Sequence, residues 1–247
     1  MQSLERTLGL LELMADLGGE CALSELAGGS RLPLATVHRL IGTLVAGGYV
    51  RRDGARRYVL GPRLIRLGEV AGQAVGLLAE PTLSALADLV GESANLAMLN
   101  GDRVIYLAQS PGRHAMRMFT EPGRQVDAHC TAVGKAMLAQ LPEGRVRQVL
   151  ARTGQRGYTD STITDPDALL EHLASVRRHG YAVDDGEQEV GVRCVAVALP
   201  GDEVTAAISV SAPAERLPRE VVRTVVPALS RFAGVLAARL AEPAKAP

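Results

Sequence analysis

The chain has 247 residues, 47% hydrophobic and 22% charged, with 27 basic side chains balancing 27 acidic ones; this builds a packed core and excludes a disordered or fibrous protein. Its three cysteines, Cys21, Cys130 and Cys194, are odd in number and far apart, which excludes a disulfide framework and points to a reducing cytoplasm. No apolar run approaches the ~20 residues of a membrane span, and Glu5, Arg6, Glu12 and Asp16 interrupt the N-terminus, so neither a membrane partner nor a secretory leader is expected.

In chain order, Ser3 is placed to cap a helix over residues 4–17 with Leu4, Leu8, Leu11 and Ala15 on one face, stopped by Gly18-Gly19. Ser24 predicts a short second helix over 25–27, ended by Gly28-Gly29. A third runs from Pro33 to Ala46 with Leu34, Val37, Leu40, Ile41 and Leu44 as its buried stripe. Extended pieces at 49–52 and 57–60 flank Asp53-Gly54, a strong hairpin signal. Three short helices followed by a hairpin is the order of a winged helix-turn-helix, over residues 1–62. A connecting helix over 63–80 follows, interrupted at Pro81.

From 81 to 247 the pattern changes. Strands are expected at 95–99 and 103–109 around Asn100-Gly101, and at 116–119. Helices follow at 132–140, 143–151 and 166–179, the last capped by Asp165 and stopped by Gly180. Further strands are expected at 181–184, 192–199 and 204–211, then a long helix over 218–240. Interleaved strands and helices with hairpins make the fold class α+β, around a mixed or antiparallel sheet.

The neutral total hides a gradient. Residues 30–57 hold six arginines and one acidic residue, a patch suited to phosphates or to an ordinary solvated loop. In a helix-turn-helix the second helix of the motif enters the major groove. Here that helix offers Ala35, Thr36, His38, Arg39 and Thr43, small or hydrogen-bonding types that base edges require. The wing offers Arg51, Arg52, Arg56 and Arg57 for the backbone. Tyr49 and Tyr58 are the only aromatics of the first 62 residues, too few for stacking single-stranded bases. Double-stranded operator DNA is the expected partner. Leu64, Ile65, Leu67 and Val70 on the connecting helix read as a surface for a second copy.

Enzyme chemistry finds little support. Gly134-Lys135 sits where a phosphate loop would need Gly at 129 and Ser or Thr at 136, but His129 and Ala136 stand there. Neither a nucleophile elbow nor a His-Glu-x-x-His stretch occurs. His129, Cys130 and Cys194 have no spacing that demands a metal. No catalytic residue, metal or cofactor is assigned.

Three segments together resemble the IclR family of bacterial regulators. They are SLERTLGLLELMA (Ser3–Ala15) leading into LPLATVHRLIGTL (Leu32–Leu44), PGRQVDAHCTAVGKAMLAQL (Pro122–Leu141), and HGYAVDDGEQEVGVRCVAVAL (His179–Leu199) followed by VTAAISVSAP (Val204–Pro213). The resemblance implies a winged helix-turn-helix, a linker helix and a GAF-like effector domain, assembled as a homodimer or dimer of dimers. It is most similar to the family's allantoin- and glyoxylate-responsive repressors. Carried over, the effector site comprises Thr131, Ala132, Val133 and Gly134 with Asp184, Cys194, Ser209 and Ser211. Val133 is bulkier than the alanine expected there. Residues 131–134 lie where a helix begins, a position with free N–H groups and a positive dipole end. Alone, Ser209 and Ser211 read as ordinary strand residues and Cys194 as a small core residue. The implied effector is a 2-oxo acid or a ureide, glyoxylate or allantoin first.

Overall fold

The computed structural model describes residues 2–54, 57–118, 120–201 and 206–241, apart from the side chains at 73–75 and 77. The chain forms two compact units that divide between Gln73 and Ala74.

In the first unit, α1 (Gln2–Asp16) buries Leu10 and Met14 completely, while Leu4 and Leu8 of the expected face are 66% and 52% exposed. The reason lies in α2 (Leu23–Ser30). A Cβ on its Gly29 would come 2.8 Å from Leu13 Cδ2, so α2 closes tightly on the Leu10–Met14 side of α1. Gly28-Gly29 therefore packs inside the helix and does not end it. The Glu25 carboxylate accepts the Ala22 N–H at 2.6 Å, which satisfies the helix start a residue or two before the expected Ser24 cap. The chain turns out of α2 at Arg31, held in the left-handed region at φ 55°.

Helix α3 (Leu34–Ala46) buries Val37, Leu40, Ile41 and Leu44, whereas Leu34 of the expected stripe overhangs the core at 53% exposure. The wing strands are β2 (Val50–Arg52) and β3 (Tyr58–Leu60). Asp53 closes their turn by donating its N–H to Arg57 O (2.9 Å) and accepting the Arg57 N–H on Oδ1 (2.7 Å). A two-residue strand, β1 (Glu20–Cys21), pairs with the far edge of β3. Two residues carry no periodicity, so it was not foreseen.

Helix α4 (Arg63–Val90) is continuous through Pro81, not two helices. An interior proline removes one helical bond and costs about 3 kcal/mol; Ala79, Leu83 and Leu86, all fully buried around it, offset that by tertiary packing.

The second unit is built on one antiparallel six-stranded sheet in the order β6-β5-β4-β9-β8-β7. The strands are β4 (Ser93–Asn100), β5 (Arg103–Ser110), β6 (Gln125–Val126), β7 (Ala182–Asp185), β8 (Val192–Ala198) and β9 (Ala206–Pro213). β4 and β5 turn at Gly101-Asp102, with Gly101 at φ 65°. The strand expected at 116–119 is absent from 116–118, and Phe119 lies outside the described residues; the edge is formed by β6.

One face of the sheet packs on the end of α4 and on α8 (Arg219–Ala241) through Leu83, Leu86, Leu229 and Leu236. The other packs on α5 (Ala132–Leu138), α6 (Glu143–Thr153) and α7 (Pro166–His179) through Met137, Val149, Leu169 and Leu173. With both faces covered, β9 is buried along nearly its whole length. By length and composition α8 could cross a bilayer. Its Val222, Val225, Leu229, Ala233 and Leu236 form one buried stripe against the sheet, while Val221, Val235 and Leu240 are exposed.

Candidate functional site

Two surfaces carry chemistry, one in each unit. In the first, the core stripe of α3 leaves its opposite side to solvent. Ala35, His38, Arg39 and Thr43 are exposed and Thr36 is half-buried. Thr43 Oγ1 donates back to Arg39 O at 3.3 Å. Arg51 and Arg52 are exposed on β2, with the Arg52 guanidinium 5.9 Å from the Tyr58 ring centre. Arg57 is different. It pairs with Glu20 at 2.8 Å and Glu25 at 3.5 Å, so its charge is spent tying the wing to β1 and α2. Arg56 lies outside the described residues.

In the second unit a cavity of about 290 Å³ opens between the start of α5 and the sheet. Thr131, Ala132, Val133, Asp184, Cys194, Ser209 and Ser211 all line it. The sheet register explains the convergence, because Asp184 pairs with Cys194, Cys194 with Ser211 and Ala196 with Ser209 across β7, β8 and β9. Antiparallel neighbours in register present side chains to the same face.

Gly134 does not line the cavity. A Cβ there would sit 2.5 Å from Ala128 Cα and 2.6 Å from Thr131 Oγ1, so this glycine permits a close approach of backbone. The expected receptor of free N–H groups is also reduced. Thr131 Oγ1 already accepts the Gly134 N–H at 3.2 Å, and α5 has only seven residues.

Several residues in and behind the cavity wall went unforeseen. Asn95, buried on β4, donates to Ser209 Oγ at 3.3 Å and Ser211 Oγ at 3.1 Å, and is itself held by Gln109 Nε2 at 2.9 Å. This amide brace fixes both hydroxyls. Tyr106, Arg124, Tyr158 and Gln188 line the walls directly. The Tyr158 hydroxyl donates to Asp127 Oδ2 at 2.6 Å, whereas the Tyr106 hydroxyl and the Arg124 guanidinium have no hydrogen-bond partner among the described residues. A polar Asn95 within an apolar strand was the one sequence signal that could have revealed the brace.

Burial dominates the electrostatics of the cavity's buried groups. Burial holds the Asp184 carboxyl up at about 6, against hydrogen bonds from the Glu187 and Gln188 N–H groups and the pull of Lys135. Burial pushes the Cys130 and Cys194 thiols up to about 12, so both are neutral donors and poor nucleophiles. The Cys130 thiol donates to Gln188 Oε1 at 3.0 Å. His129 bonds through Nε2 to Arg156 O at 3.0 Å. No group of three or more His, Cys, Asp and Glu side chains able to hold a metal occurs among the described residues.

Behind the cavity wall, Lys135 is fully buried. Its Nζ donates to Val183 O at 2.6 Å and pairs with Glu187. The lysine thus clips the loop after β7, which carries Gln188 and Glu189 into the cavity, to α5.

Residues 3–54 match the IclR helix-turn-helix domain and residues 70–237 the bacterial transcriptional regulator IclR C-terminal domain. The transcriptional repressor IclR of Escherichia coli K12 is 38% identical over 224 residues, 88% of this chain and 82% of that protein. A crystal structure of an IclR transcriptional regulator from Silicibacter sp. TM1040 superposes with TM-score 0.83 at 33% identity, covering 99% of each chain. An IclR homologue from Microbacterium hydrocarbonoxydans, solved in complex with 4-hydroxybenzoate, superposes with TM-score 0.77 at 25% identity, covering 96% of this chain and 98% of that one.

Proposed function

The chain belongs to the IclR family of bacterial transcriptional regulators, a family of DNA-binding proteins and not of enzymes, and from that premise we propose that it is a repressor of a catabolic operon that a small carboxylate or ureide releases from its operator. The observation that carries this reading is the pairing, in one chain, of a solvent-facing polar helix, α3, with a lined polar cavity in a separate unit.

Arg39, with Ala35, Thr36, His38 and Thr43, reads base edges in the major groove, and Arg51 and Arg52 hold the flanking phosphates. Two copies act together in the cytoplasm, because one winged unit covers one half-site. Leu4 and Leu8 on α1 and Ile65, Leu67 and Val70 on α4 supply an exposed apolar surface for the pairing, as a homodimer or a dimer of dimers. The effector sits among Thr131, Ala132, Val133, Asp184, Cys194, Ser209 and Ser211. It favours a conformation with lower operator affinity, and the shift is bounded by its differential affinity for the two states.

Glyoxylate and allantoin are the first candidates. The cavity volume of about 290 Å³ leaves space beside a two-carbon acid. With Tyr106, Tyr158 and Val133 in the walls, that favours a second candidate, a ring-bearing acid like the 4-hydroxybenzoate of the Microbacterium homologue. The test is fluorescence anisotropy on labelled fragments from upstream of the chain's own gene and its neighbours, titrated with the three compounds. Sequence-selective binding that one compound weakens is expected. Binding no tighter than to unrelated DNA at 150 mM salt would refute the regulator reading.

A further inference from the structure

We propose that an acid effector enters this cavity together with one proton, which Asp184 holds between its own carboxyl and the ligand's. The inference rests on the cavity being the effector site, as argued above. The cavity is rich in donors and poor in acceptors. The hydroxyls of Ser209 and Ser211 accept from the Asn95 amide and so turn their protons elsewhere. The Tyr106 hydroxyl and the Arg124 guanidinium are donors without partners among the described residues. That complement suits a carboxylate, which only accepts. Of the two lining carboxylates that contradict it, Glu189 is exposed to solvent and only Asp184 is buried. It is 2% exposed, and its Oδ1 is consumed by the N–H groups of Glu187 at 2.7 Å and Gln188 at 3.4 Å. Its Oδ2 has no partner among the described residues and belongs to a residue that lines the cavity.

Two carboxylates cannot meet there with both charges intact. A shared proton removes the conflict and converts Oδ2 from a repulsive acceptor into a donor. The groups around Asp184 dispose it to take that proton. Lys135 on α5 opposes protonation, while Glu187 in the loop after β7 favours it, and Cys130, Cys194 on β8 and Tyr106 on β5 are neutral near pH 7. Arg124 and Glu189, also lining the cavity, carry opposite charges. Burial outweighs the rest, so Asp184 titrates at about 6 before any ligand arrives, and a neighbouring anion raises it further. The proton comes from solvent, and the net reaction is protein plus carboxylate plus one proton giving the complex.

The experiment is isothermal titration of the full chain with glyoxylate and with 4-hydroxybenzoate at pH 7.5, in phosphate and in Tris, followed by a pH series from 5.5 to 8.5 with uncharged allantoin as comparator. For an acid that binds, the two buffers should differ in heat by the uptake of close to one proton per site. Its affinity should fall about tenfold per pH unit above ~7, flattening towards ~6. Asp184→Asn keeps an oxygen for the two N–H groups and offers a permanent donor towards the cavity. It should bind the acid with no pH dependence and more tightly than the parent at pH 8.5. Acid binding by the parent without proton uptake overturns the proposal and leaves the effector site standing. Persistence of the full pH dependence in Asp184→Asn overturns it equally. If neither acid binds the parent at any pH, the carboxylate reading of the cavity falls, and this inference with it.

Discussion

Lys135→Met is the most informative single change away from both surfaces. The ammonium is fully buried and holds two acceptors, the Val183 carbonyl and the Glu187 carboxylate. Glu187 is itself 5% exposed, and its Oε2 already lacks a partner among the described residues. Removing the lysine leaves a desolvated carboxylate without compensation, a loss of about 3–5 kcal/mol. At roughly 2–4 °C per kcal/mol for a domain of this size, the melting temperature should fall by roughly 6–20 °C. Replacing both partners, Lys135→Met with Glu187→Met, removes the stranded charge too. The double variant should recover to within about 1–2 kcal/mol of the parent, a coupling of at least ~2 kcal/mol.

The pH dependence follows from the same groups. Burial holds Glu187 above its ordinary value even with Lys135 beside it, and without the lysine it rises further. A carboxyl whose folded pKa exceeds its unfolded pKa contributes stability that is present at low pH and is lost as pH rises through the folded value. The deficit of Lys135→Met should therefore shrink as pH is lowered from 8 towards 5. Urea unfolding of the four proteins of the cycle at both pH values measures all of this. A single variant within 1 kcal/mol of the parent at pH 8, or a double variant as unstable as the two single losses added together, would refute the buried-pair argument.

Arg39→Ala should weaken operator binding by ~1–3 kcal/mol and relax selectivity at one base, while Arg51→Ala weakens all sequences alike and reduces the salt slope by about 1; parent-like anisotropy titrations for both would exclude the docking by α3 and the wing. Gly134→Ala forces a methyl against Ala128 and Thr131 and should destabilise by roughly 3 kcal/mol, the upper end for overpacking, read as a lowered urea midpoint. Ile65 and Val70 are 61% and 62% exposed, so Ile65→Glu with Val70→Glu should produce monomers in sedimentation at micromolar concentration and lose operator affinity, and an unchanged oligomer would remove α4 from the interface.

Much of this molecule is legible in its sequence where the signal is local and long enough. Helix α7 runs from Pro166 to His179 as its Asp165 cap and Gly180 stop dictate, because capping chemistry acts within one turn. Hairpins at Asp53-Gly54 and near Asn100-Gly101, and the stripe Val37, Leu40, Ile41 and Leu44, follow from periodicity and turn preference in the same way. Residues 131–133, 184, 194, 209 and 211 were gathered by resemblance, and the register of β7, β8 and β9 gives the physical reason they share one cavity.

What depended on partners distant in the chain was not legible. Whether Gly28-Gly29 ends α2 or packs against Leu13 is decided by the approach of α1. Whether Pro81 breaks α4 is decided by the burial of Leu83 and Leu86 around it. Whether Arg57 is free for phosphate is decided by Glu20 and Glu25, brought to it by β1. Lys135, Glu187 and the Asn95 brace emerge only when strands and helices far apart in sequence are packed together. Burial converts such contacts from minor surface terms into strong ones, since an unpaired charge or amide out of water costs several kcal/mol, and no local pattern records which side chains will lose their water.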